Sequence, residues 1–286
     1  MPKLRFTTDS IKRLKQPIDK SKVQYFDSEL TGFMIEVKNI EKSFDGKRIL
    51  KGISTVFETG KTNLIIGQSG SGKTVLLKSL LGIHTPESGQ ICFDGRIYSE
   101  LEAGEKRELR TEIGMVFQGS ALFDSMTVAE NVGFPLRMFT KDNRAKIQER
   151  VDFVLKRVNL TDAHNKLPSQ IAGGMQKRVA IARAIVNRPK YLFCDEPNSG
   201  LDPNTAILID NLIKEITEEY DITTVINTHD MNSVMDIGDN ILFLKDGLKA
   251  WQGSKEEIFK TDNEAVVAFV YSSNLFKKVR EAYLKD

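Results

Sequence analysis

The amino-acid sequence predicts an α/β fold with a mainly parallel β-sheet and an inserted group of helices. Short apolar runs alternate with helical runs from residue 34 to about residue 245, which is the pattern of consecutive βα units. Several of the apolar runs end in glycine-rich or polar segments, as expected where the carboxyl ends of parallel strands form a ligand site. Both observations place the chemistry of this chain at one edge of a sheet.

The composition is ordinary for a globular protein and argues against several classes of function. The 286 residues include 41 Lys and Arg and 39 Asp and Glu, so no excess of positive charge favours nucleic acid as a partner. The chain lacks a long apolar run and an apolar secretory segment, so we expect it to stay in the cytosol without a membrane span of its own. Cys92 and Cys194 have neither metal-ligand nor redox spacing.

The chain divides into three predicted parts. Residues 1–33 form a basic N-terminal extension, either a solvated arm or a segment that contacts anionic lipid headgroups. Residues 34–254 form the globular domain, and residues 255–286 form a C-terminal helical extension. The last predicted helix carries an apolar stripe that either packs on the domain or pairs with another chain. The stripe consists of Leu275, Phe276, Val279 and Leu284.

A helical insertion is predicted over about residues 101–184 of the globular domain. Residues 101–111 are rich in charged helix formers, and residues 142–158 place apolar side chains at helical spacing. A third helix is predicted from Gly173 onwards. The insertion would therefore separate strands of the sheet along the sequence.

A glycine-rich segment at residues 67–74 fits the phosphate-loop pattern of Gly, four residues, Gly-Lys and then Ser or Thr. An apolar run precedes the segment, and a helical run follows it. Backbone N–H groups of such a loop surround phosphates, its lysine reaches the β- and γ-phosphates, and its hydroxyl binds Mg²⁺. The predicted nucleotide-binding residues are Gly67, Gln68, Ser69, Gly70, Ser71, Gly72, Lys73, Thr74 and Val75, with Thr74 as the Mg²⁺ ligand.

Two carboxylates follow a second apolar run, at residues 191–194. A buried strand that ends in Asp195 and Glu196 would deliver both side chains to the ligand edge of the sheet. Asp195 is predicted to bind Mg²⁺, directly or through water. Glu196 is predicted to be the general base that polarises an attacking water. The alternative that both residues are ordinary surface carboxylates would not explain the apolar run that precedes them.

Three further side chains are candidates for the same site. Gln118 follows a strand-like apolar run and is predicted to touch Mg²⁺ or the attacking water. His229 follows another such run, at residues 223–226, and is predicted to hold a γ-phosphate by a hydrogen bond. Phe44 lies on a polar segment before the phosphate loop, where its ring either stacks on adenine or packs in the core.

Together these residues resemble the ATP-binding cassette (ABC) ATPases, over residues 34–250. The most specific match is the signature segment at residues 171–175, in which Ala172, Gly173 and Gly174 are the predicted nucleotide contacts. The resemblance implies a P-loop cassette with an antiparallel β edge, with ATP and Mg²⁺ as its ligands. It also implies ATP hydrolysis in a head-to-tail homodimer that drives a separate integral membrane permease.

A finer resemblance is to the ATPases of Mla-type and Mce-associated phospholipid transporters. It rests on residues 119–128, on residues 131–137 and on Met175, which ends the signature. This resemblance implies a lipid cargo, a peripheral position on the cytoplasmic face of the inner membrane, and an Mce-domain lipid-binding protein and a small regulatory subunit as partners. The alternatives are another ABC importer, such as one for a small polar solute, a soluble ABC ATPase outside transport, and a nucleotide sensor without turnover.

One residue departs from the ABC pattern. The usual serine of the signature, whose hydroxyl in that family bonds the γ-phosphate held by the other subunit, is Ala172 here. Loss of one hydrogen bond to a charged group is worth about 1.5–3 kcal/mol. The backbone N–H groups and the helix N-terminus remain, so we expect a weakened site rather than an absent one.

Overall fold

The computed structural model describes residues 34–271 of the chain. The predicted basic extension at residues 1–33 lies outside the described residues, and so does the apolar stripe expected within residues 272–286. In chain order, the strands within residues 34–271 are β1 (Ile35–Phe44), β2 (Lys47–Phe57), β3 (Thr62–Ile66), β4 (Ser88–Phe93), β5 (Arg96–Ile97), β6 (Ile113–Val116), β7 (Tyr191–Asp195), β8 (Thr223–Asn227), β9 (Asn240–Lys245) and β10 (Leu248–Gly253). The α-helices are α1 (Lys73–Leu80), α2 (Ala103–Thr111), α3 (Val128–Phe139), α4 (Arg144–Arg157), α5 (Gly173–Ile185), α6 (Pro203–Tyr220), α7 (Met231–Ile237), α8 (Lys255–Ile258) and α9 (Glu264–Val270), and two short 3₁₀ helices lie at Tyr98–Glu100 and Pro168–Gln170.

A six-stranded sheet with the order β10-β9-β3-β8-β7-β6 forms the centre of the fold. All of its pairings are parallel except that of β10 with β9. Successive residues of β3 point into two different hydrophobic clusters, Leu64 into one and Ile65 into the other, so both faces of this strand are covered. The carboxyl ends of β3, β8 and β7 consequently open at the same edge of the sheet.

A four-stranded antiparallel sheet with the order β2-β1-β4-β5 flanks the parallel one. Its first two strands are joined by a tight turn at Asp45 and Gly46, and both residues have a positive φ, as a two-residue hairpin turn requires. Phe44 is the last residue of β1 before this turn. The predicted fold class, a mainly parallel sheet with an antiparallel edge and helices, is confirmed.

The helical insertion expected over about residues 101–184 is not continuous. β6 lies within that range and pairs in parallel with β7, so it belongs to the six-stranded sheet. Gly114 of β6 lets α5 approach closely, because a Cβ there would lie 2.4 Å from the carbonyl oxygen of Ala184. The helices α3, α4 and α5 follow β6 and pack on one another through the larger hydrophobic cluster.

The C-terminal helices α8 and α9 pack against the domain. The hydroxyl of Ser254 caps α8, and the side chain of Asn263 accepts from the first N–H groups of α9. Phe259 and Val270 are buried in the same hydrophobic cluster as the insertion helices. Across residues 34–271, no helix combines the length and the apolar character that crossing a membrane requires.

Candidate nucleotide-binding and catalytic site

The phosphate loop connects the end of β3 to the start of α1. Gly67 follows β3 with a φ of +146°, and a Cβ there would lie 2.2 Å from the carbonyl oxygen of Leu244. Gly72 is the N-cap of α1 and has a φ of +104°. Residues that carry a side chain rarely adopt such backbone angles, so these two glycines give the loop its shape. The loop therefore ends at a helix N-terminus, whose positive potential favours an anion.

Lys73 is the first residue of α1, and its ammonium group folds back onto the loop. Nζ donates to the carbonyl oxygen of Gly67 at 2.8 Å and to that of Gln68 at 3.1 Å. Burial lowers the pKa of Lys73, while the carboxylates of Glu196 and Asp195 oppose that shift. Phosphate oxygens in the loop would replace the carbonyl contacts with shorter, charge-assisted hydrogen bonds.

Other polar groups around the loop fit ATP with Mg²⁺. The hydroxyl of Ser71 is buried and has no hydrogen-bond partner among the described residues, so a bound phosphate would satisfy it. Thr74 is exposed one residue beyond Lys73. Hydroxyl and carboxylate oxygens are the ligands that Mg²⁺ prefers, and Thr74 and Asp195 supply one of each.

Asn227, the last residue of β8, belongs to the site although the sequence analysis missed it. Parallel pairing sets it opposite Ile65 of β3 and Asp195 of β7. Its Nδ2 donates to Asp195 Oδ1 at 2.6 Å and to Thr74 Oγ1 at 3.1 Å. One amide thus bridges the two oxygen ligands predicted for Mg²⁺. The signal in the sequence is its position at the end of an apolar run, just before His229.

Glu196 and His229 contact each other at the same edge of the sheet. His229 Nδ1 lies 2.8 Å from Oε1 and 2.7 Å from Oε2 of Glu196, and both side chains line an open cleft of about 650 Å³. Because a carboxylate only accepts hydrogen bonds, Nδ1 carries the proton in this arrangement. A neutral ring then presents Nε2 as an acceptor. Donation from Nε2 to a γ-phosphate therefore requires a second proton on the ring or release from Glu196.

The backbone of Glu196 lies in the left-handed region, with a φ of +49°. This conformation costs a residue other than glycine on the order of 1 kcal/mol. Two hydrogen bonds hold it: the Glu196 N–H donates to the carbonyl oxygen of Asn227 at 2.9 Å, and the Ser199 N–H donates to the Glu196 carbonyl at 3.2 Å. The chain therefore turns sharply away from β7 directly after Asp195.

Gln118 is not joined to the predicted Mg²⁺ ligands. Its side-chain partner among the described residues is the hydroxyl of Ser199, 3.5 Å from Nε2 and at the outer limit of a hydrogen bond. Its backbone carbonyl accepts a hydrogen bond from the buried ammonium group of Lys177 in α5. Arg183 of the same helix donates to the carbonyl oxygens of residues 120–121 at 2.7 Å each. Two cations of α5 thus hold the segment that follows β6.

Phe44 lies at the surface, with 39% of its area exposed. Its ring meets the ring of His84 edge-on, with centroids 5.1 Å apart, and Lys42 Nζ lies 5.2 Å from its centroid. Phe44 belongs to neither hydrophobic cluster of residues 34–271, so core packing does not account for it. Stacking on adenine stays a prediction for this residue.

The signature segment lies at the N-terminus of α5. Ala172 is the N-cap and makes no side-chain hydrogen bond, because alanine has no acceptor to offer. Gly173 and Gly174 begin the helix, and a Cβ on each would meet Leu201 and Thr205 respectively. Within the described part of the chain, these predicted nucleotide contacts therefore neighbour residues 201–205 rather than the phosphate loop.

A buried polar triad lies beside the site. Asn198 Nδ2 donates to Asp210 Oδ2 at 3.2 Å and to Ser233 Oγ at 2.9 Å, and Ser233 Oγ donates to Asp210 Oδ2 at 2.7 Å. The triad joins the loop after Glu196 to α6 and to α7. Burial raises the pKa of Asp210 to about 6, helped by the negative charge of Asp230 and opposed by the two hydrogen bonds.

Comparisons with known proteins agree with this geometry. The family described as ABC transporter matches residues 50–199. The probable ribonucleotide transport ATP-binding protein mkl of Mycobacterium leprae is 39% identical over 239 residues, which are 84% of this chain and 69% of that protein. The methionine import ATP-binding protein MetN 1 of Pseudomonas savastanoi pv. phaseolicola is 39% identical over 230 residues, 79% of this chain and 69% of that protein. Neither name specifies phospholipid transport.

Solved structures share the fold. A dimeric bacterial ABC transporter cassette is 33% identical, with a TM-score of 0.71 over 77% of this chain and 98% of that one. The same cassette in a post-hydrolysis state bound to ADP and Pi is 32% identical, with a TM-score of 0.70 over 77% of this chain and 98% of that one. The P-loop cassette fold implied by the sequence motifs is therefore confirmed.

Asp210 predicts a pH dependence of stability. Its folded pKa of about 6 lies above the ordinary value of 3.8, so its contribution to the free energy of unfolding is fully present below the ordinary value and is lost as the pH rises through about 6. An asparagine at position 210 does not ionise, so the free energy of unfolding of Asp210→Asn should rise relative to that of the natural chain as the pH rises. We expect this difference, the margin of the variant, to increase by up to about 3 kcal/mol between about pH 4 and about pH 7. Urea unfolding at a series of pH values measures this margin.

The matched control is Asp162→Asn, at an exposed position. It removes one carboxylate that water already reaches in the folded chain, so an effect shared by both variants would reflect the loss of a charge and not the burial of Asp210. A margin for Asp210→Asn that does not change with pH would contradict the raised pKa of Asp210.

Proposed function

The chain belongs to the ABC transporter family, and we propose that it energises the transport of lipid through a separate membrane permease. It is the ATP-hydrolysing subunit of an ABC transporter, with ATP and Mg²⁺ as its ligands. The observation that carries the ATPase chemistry is the convergence at one sheet edge of a cation, two carboxylates and their partners. These residues are Lys73, Asp195, Glu196, Asn227 and His229.

Three of these residues, Lys73, Glu196 and His229, have direct tasks in hydrolysis. The ammonium group of Lys73 binds the β- and γ-phosphates in place of the loop carbonyls. Mg²⁺, when bound, neutralises charge on the phosphate oxygens. Glu196 accepts the proton of the water that attacks the γ-phosphorus, and His229 orients the Glu196 carboxylate through its Nδ1. The N-terminus of α1 adds positive potential where the phosphates bind.

We expect Glu196→Gln to abolish ATP hydrolysis, because an amide cannot take up the proton of the attacking water. General-base catalysis contributes about 10²–10⁴-fold, so kcat should fall by that factor while ATP affinity changes little. A phosphate-release assay gives kcat, and a fluorescent-nucleotide titration gives the affinity. Glu218→Gln, at an exposed position of α6, is the control and should keep its turnover. A kcat of Glu196→Gln equal to that of the natural chain would exclude Glu196 as the general base.

We propose that two copies of the chain assemble head-to-tail around two ATP molecules. The first N–H groups of α5 have no partner within the helix, and they suit the oxygens of a phosphate. Among the described residues, Gly173 and Gly174 neighbour Leu201 and Thr205, so the phosphate at this N-terminus would come from a second copy. A related cassette that was solved as a dimer supports the assembly of two copies.

Ala172→Ser tests the head-to-tail contact. A serine hydroxyl at this N-cap would add one hydrogen bond to the γ-phosphate of the second copy, worth about 1.5–3 kcal/mol. We expect ATP-driven dimerisation to tighten by roughly ten-fold or more, measured by sedimentation in a Glu196→Gln background that retains its ATP. Ala103→Ser, at the exposed start of α2, is the matched control. Equal dimerisation of the two variants would contradict the contact between copies.

The permease contact is proposed at the docking surface, defined as residues 117–139. The rings of Phe123 and Phe134 lie 4.8 Å apart, and Phe123 and Met138 are 41% and 55% exposed. Asn131 is fully buried beneath them: its Oδ1 accepts from the Phe123 N–H, and its Nδ2 donates to the carbonyl oxygens at positions 123, 126 and 127. A preformed apolar surface of this kind suits a helix of a partner protein.

Lipid is proposed as the cargo because residues 119–128, residues 131–137 and Met175 resemble the Mla-type and Mce-associated ATPases. In this interpretation the chain lies peripherally on the cytoplasmic face of the cell membrane. An Mce-domain lipid-binding protein and a small regulatory subunit would be its further partners. The second candidate is import of a small polar solute, which is favoured by relatives named for ribonucleotide transport and methionine import.

Co-purification decides between the two cargoes. The tagged chain is purified from native membranes in mild detergent, and mass spectrometry identifies the proteins and lipids that accompany it. We expect a permease, an Mce-domain protein and enriched phospholipid. A permease with a solute-binding protein and without enriched lipid would contradict the lipid cargo. Phe123→Asp is the control, because a charge on the docking surface should remove the permease and any lipid that the permease carries.

A further inference from the structure

Asn227 contacts three residues on which Mg²⁺-dependent hydrolysis depends. It ends β8 and is 1% exposed. Its Nδ2 donates to Asp195 Oδ1 at 2.6 Å and to Thr74 Oγ1 at 3.1 Å. Its backbone carbonyl accepts from the N–H of Glu196 at 2.9 Å. One residue therefore connects both predicted Mg²⁺ ligands with the predicted base.

The neighbours of the Asn227 amide fix its orientation. A carboxylate oxygen only accepts, so the amide atom that lies 2.6 Å from Asp195 Oδ1 must be the donor Nδ2. The Thr74 hydroxyl has two acceptor lone pairs, of which Asn227 uses one and leaves the other for a cation. The Thr74 oxygen can thus accept from Asn227 and bind a metal ion at the same time.

The other end of the amide is a buried acceptor without a partner. Asn227 Oδ1 makes no hydrogen bond with the described residues, although it is shielded from solvent. Leaving a buried polar atom unsatisfied costs about 1–3 kcal/mol, so the two hydrogen bonds from Nδ2 hold the amide in this orientation against that cost.

We propose that Asn227 is a positioning residue for Mg²⁺. Its Nδ2 holds Asp195 and Thr74 in the orientation that the ion requires. Mg²⁺ demands near-octahedral oxygen geometry, so the direction of each ligand affects its affinity. This inference rests on the proposed ATPase function and assigns to that site a residue outside the motifs of the sequence.

A purely structural role for Asn227 predicts a different result. If the amide only joined β7, β8 and α1, its loss would weaken nucleotide binding equally with and without the metal. A positioning role instead weakens the contribution of the metal and leaves metal-free binding intact. The affinity for ADP, measured by calorimetry in EDTA and again in excess Mg²⁺, separates the two roles.

Asn227→Leu removes both donors and the acceptor at a similar volume. We expect its ADP affinity in EDTA to stay within about two-fold of the natural chain, and the gain in affinity from Mg²⁺ to fall by about ten-fold or more. Mn²⁺ in place of Mg²⁺ provides a spectroscopic probe. The electron paramagnetic resonance of Mn²⁺ with ADP should report weaker metal binding by the variant.

Two further variants support the comparison. Asn240→Leu removes another buried amide, at the start of β9 and away from the ligand edge of the sheet. In the natural chain this amide donates to Asn63 Oδ1. We expect Asn240→Leu to keep the full gain in ADP affinity from Mg²⁺. Asn227→Ala covers the case in which leucine does not fit, and it should lose the gain from Mg²⁺ as well.

The positioning role would be overturned if both Asn227 variants kept the full increase in ADP affinity from Mg²⁺ and bound Mn²⁺ as tightly as the natural chain. An equal loss in EDTA and in Mg²⁺ would also overturn it. If the natural chain itself bound no nucleotide with Mg²⁺, the proposed function would fall, and the role of Asn227 with it. These outcomes are distinguishable, because the last is seen in the natural chain and the others only in the variants.

Discussion

Parallel pairing of β3, β8 and β7 sets the geometry of the whole site. Its register aligns Ile65, Asn227 and Asp195 across neighbouring strands, so the phosphate loop, the amide and the carboxylate emerge together. Both faces of β3 are buried, with Leu64 and Ile65 in different hydrophobic clusters. A slip by one residue would exchange the faces of a strand and disturb both clusters. Burial of apolar side chains therefore stabilises the register, and the register brings the predicted catalytic groups together.

Buried polar groups then restrict the loops that follow the strands. Lys73 lies on the carbonyl oxygens of the phosphate loop, Asn227 bridges the two predicted Mg²⁺ ligands, and Asn198 joins the loop after Glu196 to Asp210. Each of these groups has left water, so losing a partner costs more than the net gain from forming the bond. That asymmetry leaves the loops few alternative arrangements. Phosphoryl transfer needs such restriction, because its catalysis consists mainly of positioning and charge stabilisation.

Helix α5 connects the nucleotide site with the proposed docking surface. Lys177 and Arg183 hold the backbone between Gln118 and residue 121, and this segment leads directly into Phe123. The same helix begins at the signature, where the ATP of a second copy is proposed to bind. A displacement of α5 when the two copies close would carry this segment with it. ATP binding would then reach the permease through a short chain of packed and hydrogen-bonded groups.

Local patterns in the sequence were sufficient for the α/β class, for the phosphate loop at residues 67–74 and for the strand that ends in Asp195, directly before Glu196. Glycine spacing and apolar runs followed by polar residues carry their meaning within a few positions. The contact of His229 with Glu196 and the bridge made by Asn227 came only from the tertiary structure. An asparagine acquires that role when parallel pairing and α1 bring Asp195 and Thr74 to its amide, and both lie far from it in the chain.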